Sequence, residues 1–386
     1  MGLPSSRGTI ANDTGHAGPH NAQGMPIQQS MISPTANPGL EQALRERLEE
    51  RASLCGGLGE LRPLAVRLGL IQDSIAPRLR EPVLALFAAD HGLAVEGIPM
   101  RYGHSTRDLA HLALDGQLPL AAFARAQGMS LRVVDCGVAD KLMPHGRLMM
   151  RKIAHGTRNS RVGHAMTLEQ AHAGVRAGME ISDALPGNAL ACAGIGQGSE
   201  EAAALLLSQL SDVPLRDFVV AGPDMSQDLL GKQLSILQGA QFRHRELSDP
   251  MEMLAAYGGF EIAVMVGAIL VAASKRSLIL IDGISACAAL KVAVRIAPPV
   301  TDYVLFCRSS SHRGIDEALA TFHASALLEL GLESIDGTGA AVAWPLLRSA
   351  TAALGDVGEP AGVSNSHFGA LASANSGDPA PQLQAG

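Results

Sequence analysis

The chain has 386 residues, a formal net charge of −7, and 47% hydrophobic but only 3% aromatic residues. Its length allows one large domain or two ordinary ones, and a core built from Ala, Leu, Val and Ile favours an α/β fold. The mild negative charge is spread along the chain, which argues against a nucleic-acid partner and against a polybasic membrane patch.

The cysteines and the apolar runs restrict the class of protein further. The five cysteines are far apart and form no C-x-x-C pair, which predicts reduced, mostly buried thiols rather than disulfides or a zinc site. No signal peptide is evident, and the apolar runs are too short and too rich in alanine to span a bilayer. A cytoplasmic protein is therefore expected.

Composition divides the chain into three segments. Residues 1–38 and 357–386 are rich in Gly, Pro, Ser and Asn, which predicts a disordered leader and a flexible tail. One folded domain is predicted over 39–356. Its parts are an α/β core at about 81–315 and a smaller helical subdomain built from both ends, 39–80 and 316–356.

Apolar runs alternate with helical patterns through the core. The runs predicted as strands are Pro82–Ala89, Leu131–Asp135, Ala189–Cys192, Asp217–Val220, Leu278–Ile281 and Tyr303–Cys307. The predicted helices are Thr106–Gln127, Thr167–Leu185, Glu200–Leu210, Glu261–Ser274 and Ala286–Ile296. This alternation predicts a mostly parallel, Rossmann-like sheet with helices on both faces. In such folds ligands bind beyond the carboxyl ends of the strands.

Glycine-containing loops at predicted strand ends are candidate ligand contacts. Residues 194–199, Gly-Ile-Gly-Gln-Gly-Ser, precede a helix, so their backbone N–H groups could cradle a phosphate. An ordinary glycine turn with Ser199 as N-cap fits the pattern equally well, and Glu200 and Glu201 would repel a phosphate. Gly156, Thr157 and Arg158 could hold a ribose or a carboxylate, or could form a polar connector.

Two motifs with carboxylates are candidates for acid–base chemistry. Asp336 is flanked by glycine and precedes an apolar helix, where it could accept a proton from a nitrogen nucleophile or could cap that helix. Asp90 and His91 follow a predicted strand, and a structural loop is the preferred interpretation there. No third residue at metal-ligand spacing accompanies this pair.

Several longer motifs occur together in one order. They are Phe87-Ala88-Ala89-Asp90-His91-Gly92, Val133-Val134-Asp135-Cys136-Gly137-Val138, Lys152–Asn159, Gly258-Gly259-Phe260-Glu261-Ile262-Ala263, Asp282-Gly283-Ile284 and Gly337-Thr338-Gly339-Ala340. With these motifs the chain resembles the nicotinate-nucleotide–dimethylbenzimidazole phosphoribosyltransferases over about Gly56–Leu354. The resemblance implies a homodimeric α/β fold with a smaller helical part, and neither a metal nor a cofactor.

The resemblance also implies an activity and a site. The family transfers the phosphoribosyl group of nicotinate mononucleotide to a benzimidazole nitrogen in cobalamin biosynthesis. In the family a glutamate acts as the base that deprotonates the benzimidazole, and Asp336 occupies its position here. The expected nucleotide and phosphate contacts are Gly194, Ile195, Gly196, Gln197, Gly198, Ser199, Gly156, Thr157, Arg158, Lys232, Gly258, Gly259, Asp282 and Gly283. The expected base-binding residues are Asp90, His91, Tyr102, Gly103 and His104.

Departures from the family pattern leave two functions open. The acid of the family's phosphate loop is Cys192 here, and Gly103 occupies the position of a glutamine that lies over the aromatic base. The first prediction is an active phosphoribosyltransferase acting on 5,6-dimethylbenzimidazole or a related base, since Asp336 keeps an acid. The alternative is a diverged, weakly or non-catalytic protein that binds a nucleotide or a corrinoid precursor.

Overall fold

The computed structural model describes residues 32–100, 103–219 and 225–355, without the side chains of 53–55. These residues belong to one compact unit. Their strands are Val83–Ala89 (β1), Ser130–Gly137 (β2), Leu148–Met150 (β3), Ala189–Ile195 (β4), Leu278–Asp282 (β5) and Val304–Cys307 (β6). The predicted leader, apart from residues 32–38, and the predicted tail lie outside the described residues.

Helices follow most of the strands. They are Pro38–Cys55 (α1), Leu61–Gln72 (α2), Thr106–Leu114 (α3), Pro119–Ala126 (α4), Leu168–Asp183 (α5), Ser199–Ser211 (α6), Leu215–Val219 (α7), Gln227–Arg243 (α8), Pro250–Tyr257 (α9), Phe260–Ser274 (α10), Ile284–Ile296 (α11), Arg313–Ala320 (α12) and Thr338–Gly355 (α13). Short 3-10 helices lie at Gly92–Glu96 and Pro298–Tyr303.

The strands form one parallel sheet in the order β3-β2-β1-β4-β5-β6. In β1, Leu86 pairs with Val133 on one side and Ala193 on the other. All seven residues of β1 are buried, because helices cover both faces of a parallel sheet. The predicted fold class is thus confirmed. The strand order reverses between β1 and β4, and ligands bind outside such a switch point in open α/β sheets.

Two predicted elements were wrong. Asp217–Val220 was expected to be a strand, but Leu215–Val219 is a short helix, with Val220 outside the described residues. Its buried positions Leu215, Phe218 and Val219 follow the i, i+3, i+4 spacing of a helix face rather than the alternation of a strand. The predicted helix Thr106–Gln127 is two helices, α3 and α4.

The break between α3 and α4 has a local cause. Gly116 adopts a φ of 75°, which glycine reaches without strain, and Pro119 starts α4 at a position where a missing backbone N–H is tolerated. The strand β3 was not predicted. Its residues Leu148, Met149 and Met150 form an apolar run of only three, which is shorter than the runs of about four or more that indicate a strand.

The central helix α10 is almost wholly buried and packs closely against α5. A Cβ at Gly267 would lie 1.9 Å from the carbonyl oxygen of Val175, and one at Gly178 would lie 1.8 Å from that of Val264. Glycine at both positions therefore lets the two backbones touch. This contact fixes the N-terminus of α10, which carries Glu261. Among the described residues, no helix is long and apolar enough to cross a membrane.

Helices from both ends of the described chain pack together. The helix α13 contacts α1 and α2, and the guanidinium of Arg51 donates a hydrogen bond to the carbonyl oxygen of Ala353. A Cβ at Gly69 would lie 2.6 Å from Cδ1 of Leu44, so α1 and α2 are also in close contact. The boundaries of the helical subdomain stay a prediction.

Candidate active site

A cleft opens at the switch point between β1 and β4. Clefts at this position of open α/β sheets are common binding sites for small-molecule ligands. The lining residues are Pro99, His104, Thr106, Leu109, Gly194, Ile195, Gly196, Gln197, Gly198, Ser199, Glu200, Glu201, Ser285, Ile335 and Asp336. The cleft therefore brings the predicted phosphate loop together with the predicted base, although about 140 residues separate them in the sequence.

The segment Gly194–Ser199, called the glycine loop below, is shaped by close backbone contacts. A Cβ at Gly196 would lie 1.9 Å from the carbonyl oxygen of Ala89, so no side chain fits between the ends of β1 and β4. Gly198 has a φ of 86° and is the N-cap of α6. Ser199, the alternative N-cap in the sequence analysis, is the first residue of that helix, and its hydroxyl serves another contact.

That contact is with a buried glutamate behind the glycine loop. Ser199 Oγ and His91 Nε2 each donate a hydrogen bond of 2.8 Å to Oε1 of Glu261. Glu261 is 0% exposed and His91 4%. Burial alone would lower the pKa of His91, but the charge and hydrogen bond of Glu261 outweigh it, so this pKa is raised. The buried imidazole of His91 therefore binds a proton more readily than a free one does.

Asp90 holds the other side of the glycine loop. Thr106 Oγ1 donates a hydrogen bond to Asp90 Oδ1 and accepts one of 3.0 Å from the backbone N–H of Gln197. The N–H of Ala139 donates to Asp90 Oδ2 at 2.7 Å. Neither Asp90 nor His91 lines the cleft. The structure therefore places both residues behind the glycine loop, and their contact with the base stays a prediction.

Asp336 lies at the floor of the cleft. The residue is only 3% exposed, and it lies against Gly283, where a Cβ would stand 2.0 Å from Asp336 Oδ2. Gly283 also has a φ of 97°, so glycine is required there on two grounds. Ser285 reaches the same floor, because its Oγ would lie 2.3 Å from a Cβ at Gly194. Sequence reasoning missed Ser285.

Asp282, expected to contact the nucleotide, lies behind Asp336 instead. It is 0% exposed and does not line the cleft. Its Oδ2 accepts hydrogen bonds of 2.8 Å from Ser309 Oγ and from the backbone N–H of Ala340. Burial raises the pKa of Asp282 to about 6, although these hydrogen bonds act to lower it. Gly283 likewise serves as packing space for Asp336.

Other predicted nucleotide contacts lie away from the cleft lining. Gly156 packs against Asp90, and Thr157 Oγ1 accepts a hydrogen bond of 3.2 Å from the N–H of Gly92. Arg158 lines a separate cleft that shares no residue with the first. Lys232 is exposed on α8. The structure therefore gives no direct support to these nucleotide contacts.

The remaining predicted residues divide between packing and the rim of the cleft. Gly258 is the C-cap of α9 and Gly259 is the N-cap of α10. A Cβ at Gly259 would lie 2.3 Å from Cε1 of His91. His104 lines the cleft, whereas Gly103 does not. Tyr102 lies outside the described residues.

The described residues offer neither a metal-ligand cluster nor, at Cys192, a reactive thiol. The described part of the chain holds no group of three or more His, Cys, Asp or Glu that could bind a metal ion. Cys192, in β4, is 0% exposed, and burial raises its thiol pKa to about 12. A thiol with this pKa is neutral near pH 7 and is a poor nucleophile.

A parallel sheet whose switch-point cleft joins a glycine loop to a buried carboxylate is typical of enzymes that act on small ligands. A model of the phosphoribosyltransferase family matches residues 33–363. Two similar proteins are the nicotinate-nucleotide–dimethylbenzimidazole phosphoribosyltransferases of Cupriavidus taiwanensis and Variovorax paradoxus. The first is 39% identical over 84% of this chain and 94% of its own length, and the second is 37% identical over 86% and 96%.

Solved structures agree with these sequences. The crystal structure of CobT from Thermus thermophilus is 30% identical in sequence and superposes with a TM-score of 0.76, covering 82% of this chain and 96% of the other. The family match and these relatives extend over most of the described residues. The chain therefore belongs to this phosphoribosyltransferase family.

Proposed function

We propose that the protein transfers the phosphoribosyl group of nicotinate mononucleotide to a ring nitrogen of 5,6-dimethylbenzimidazole or a related base. The products are the α-ribazole phosphate and nicotinate, and the reaction serves the assembly of the lower ligand of cobalamin. One observation carries the proposal: the glycine loop and Asp336 line a single cleft in a chain whose relatives bear this name. An anion site and a base are the two groups that the reaction needs.

The donor has a phosphate and a cationic ring, and the cleft offers groups for both. The glycine loop leads into the N-terminus of α6, where backbone N–H groups and the helix dipole favour an anion. Glu200 and Glu201 in the first turn of α6 also line the cleft and oppose an anion there. We therefore place the phosphate on the glycine loop, with the cationic ring nitrogen, rather than the carboxylate of the ring, turned toward Glu200 and Glu201.

The acceptor fits between apolar side chains and the carboxylate. Pro99, Leu109, Ile195 and Ile335 supply apolar surface for a flat ring, and Asp336 stands beside them. The acceptor nitrogen attacks C1′ of the ribose, and the C1′–N bond to the nicotinate ring breaks. Its electron pair returns to the ring nitrogen, and the acceptor N–H proton passes to Asp336. General base catalysis of this kind contributes about 10²–10⁴-fold to a rate.

A chromatographic assay tests this function. Purified protein is incubated with nicotinate mononucleotide and one base from a panel of dimethylbenzimidazole, benzimidazole, adenine and phenols. Release of nicotinate together with a new α-riboside is the expected result, with dimethylbenzimidazole or a near relative as the best acceptor. If no base in the panel leads to release of nicotinate, while calorimetry still shows binding of the nucleotide, the result would instead favour the non-catalytic binding protein.

We also propose that the protein is a homodimer, as the family resemblance implies. Light scattering after size exclusion should then give about twice the chain mass of 40.0 kDa. A mass equal to one chain would contradict the dimer without affecting the proposed chemistry. The cytoplasmic location stays a prediction from the sequence.

A further inference from the structure

The segment that carries Asp336 is held from behind by two buried side chains. Residues 334–340 comprise a loop and the first three residues of α13, and this segment is called the base loop below. It passes over the carboxyl ends of β5 and β6. Asp282 is the last residue of β5, and Ser309 lies two residues beyond β6. Both are 0% exposed, and neither lines the cleft. A substrate in the cleft therefore does not touch them.

Hydrogen bonds join these two side chains to the backbone of the base loop. Ser309 Oγ accepts a hydrogen bond of 2.8 Å from the N–H of Gly339 and donates one of 2.8 Å to Asp282 Oδ2. The same carboxylate oxygen accepts a further bond of 2.8 Å from the N–H of Ala340. The carbonyl oxygen of Ser309 accepts a bond of 2.9 Å from the N–H of Ser334. Both ends of the base loop are thus fixed to one point of the sheet.

A steric contact also restricts the side of the base loop that faces the cleft. Asp336 lies against Gly283, the residue after Asp282, so its carboxylate cannot move back toward β5. Gly337 has a φ of 96°, and a Cβ there would lie 3.2 Å from each of three core side chains. The hydrogen bonds and these contacts together fix the backbone that carries Asp336 and limit where its carboxylate can lie.

We propose that Asp282 and Ser309 are positioning residues, which set the reach of Asp336 toward the acceptor N–H without touching substrate. The inference rests on the proposed function, because it assigns these residues to the proton-transfer step. A displacement of about 1 Å at a reacting group can cost about 100-fold in rate. Loss of either side chain should therefore lower kcat, while the donor still binds on the glycine loop.

Three variants test the positioning role. Ser309→Ala removes the hydroxyl, and Asp282→Ala removes the acceptor of two hydrogen bonds. For both we expect kcat to fall by about tenfold or more, with KM for nicotinate mononucleotide within about twofold of the wild type. Asp282→Asn keeps an oxygen where Oδ2 lies and should retain most of kcat. Ser309→Ala removes two buried hydrogen bonds and should still fold, with a lower thermal unfolding temperature.

Ser208→Ala is a matched control. The hydroxyl of Ser208 is also buried and also makes two hydrogen bonds, donating to the carbonyl oxygen of Val213 and accepting from Gln241. Ser208 does not line the cleft. Its replacement should lower the thermal unfolding temperature about as much as Ser309→Ala does, yet leave kcat unchanged.

A second measurement separates positioning of the base from general damage to the site. Acceptors with a more acidic ring N–H, such as 5,6-dichlorobenzimidazole, depend less on a well-placed base. The rate deficit of Ser309→Ala should therefore shrink with that acceptor. An equal deficit with both acceptors, or a rise in donor KM that accounts for the loss, would overturn the positioning role. An inactive wild-type chain would overturn the proposed function itself, and the positioning role with it.

Discussion

His91 and Glu261 form a buried pair beneath the glycine loop, with Nε2 of the histidine 2.8 Å from Oε1 of the glutamate. Ser199 donates to the same oxygen, so one carboxylate joins the loop after β1 to the start of α6. Glu261 is the second residue of α10, where the helix dipole also favours a negative charge. The shape of the glycine loop therefore depends on a fully buried residue that does not line the cleft.

Replacement of Glu261 should lower the free energy of unfolding substantially. Glu261→Ala leaves the donors of His91 and Ser199 buried without their acceptor, and breaking a buried pair in this way costs about 3–5 kcal/mol. Urea unfolding measures the change. Glu41→Ala is the control, because the pair of Glu41 with Arg45 is 39% and 53% exposed and should contribute at most about 1 kcal/mol. Equal losses in the two variants would contradict the structural role of Glu261.

Asp282 should make stability depend on pH in an unusual direction. Burial raises its pKa from 3.8 to about 6, so between these pH values the folded chain binds a proton that the unfolded chain has released. The contribution of Asp282 to the free energy of unfolding is therefore fully present below about pH 4 and falls by about 3 kcal/mol as the pH rises through 6. Asp282→Asn cannot titrate.

A comparison of the wild type with Asp282→Asn isolates the titration of the Asp282 carboxyl group. Urea unfolding at several values between pH 4 and 7 should show the wild type losing stability relative to Asp282→Asn as the pH rises. All other carboxyl groups are common to both, so their titrations cancel in the difference. Parallel stability curves would mean that the pKa of Asp282 is not raised.

The close contact at Gly196 predicts a loss of donor binding. A Cβ there would lie 1.9 Å from the carbonyl oxygen of Ala89, so Gly196→Ala must displace the glycine loop. Overpacking of this kind costs about 1–3 kcal/mol. Calorimetry should show weaker binding of nicotinate mononucleotide. Gly146→Ala is the control, since a Cβ at that exposed position meets nothing within 4 Å. Unchanged binding in Gly196→Ala would remove the glycine loop from the donor site.

The length of the side chain at Asp336 gives a further test. Asp336→Glu adds one methylene and extends the carboxylate by about 1.5 Å into the cleft. We expect a higher kcat, because the longer side chain restores the reach that the family resemblance implies. Steady-state rates with dimethylbenzimidazole measure the effect. A fall in kcat would show that this cleft is built around aspartate.

The sequence predicted the sheet well for a physical reason. Strands such as β1 and β5 are buried on both faces, so they appear as continuous apolar runs. The short helix α7 was mistaken for a strand because it has only five residues. So short a segment does not show whether its apolar residues repeat with the period of a helix or of a strand. The strand β3 is an apolar run of only three residues, which is too short to indicate a strand in the sequence.

The parts of the site that were predicted from the sequence are those with a recognisable pattern of neighbouring residues. The glycine loop and Asp336 both show glycine beside a polar residue at the edge of an apolar element. Ser309 gives no such signal, because its role arises from bonds to residues 27 and 30 positions away. Glu261 is part of one of the family motifs and is the one charged residue of α10, but its partners His91 and Ser199 lie far away in the sequence and could not be predicted.

The most direct test of the account compares the wild type with Asp336→Ala in the presence of nicotinate mononucleotide and dimethylbenzimidazole. The wild type should release nicotinate and form the α-riboside. Asp336→Ala should lose about 100-fold or more of kcat, while calorimetry gives the same dissociation constant for nicotinate mononucleotide. Unchanged turnover in Asp336→Ala would contradict the assignment of the base and, with it, the mechanism proposed for this cleft.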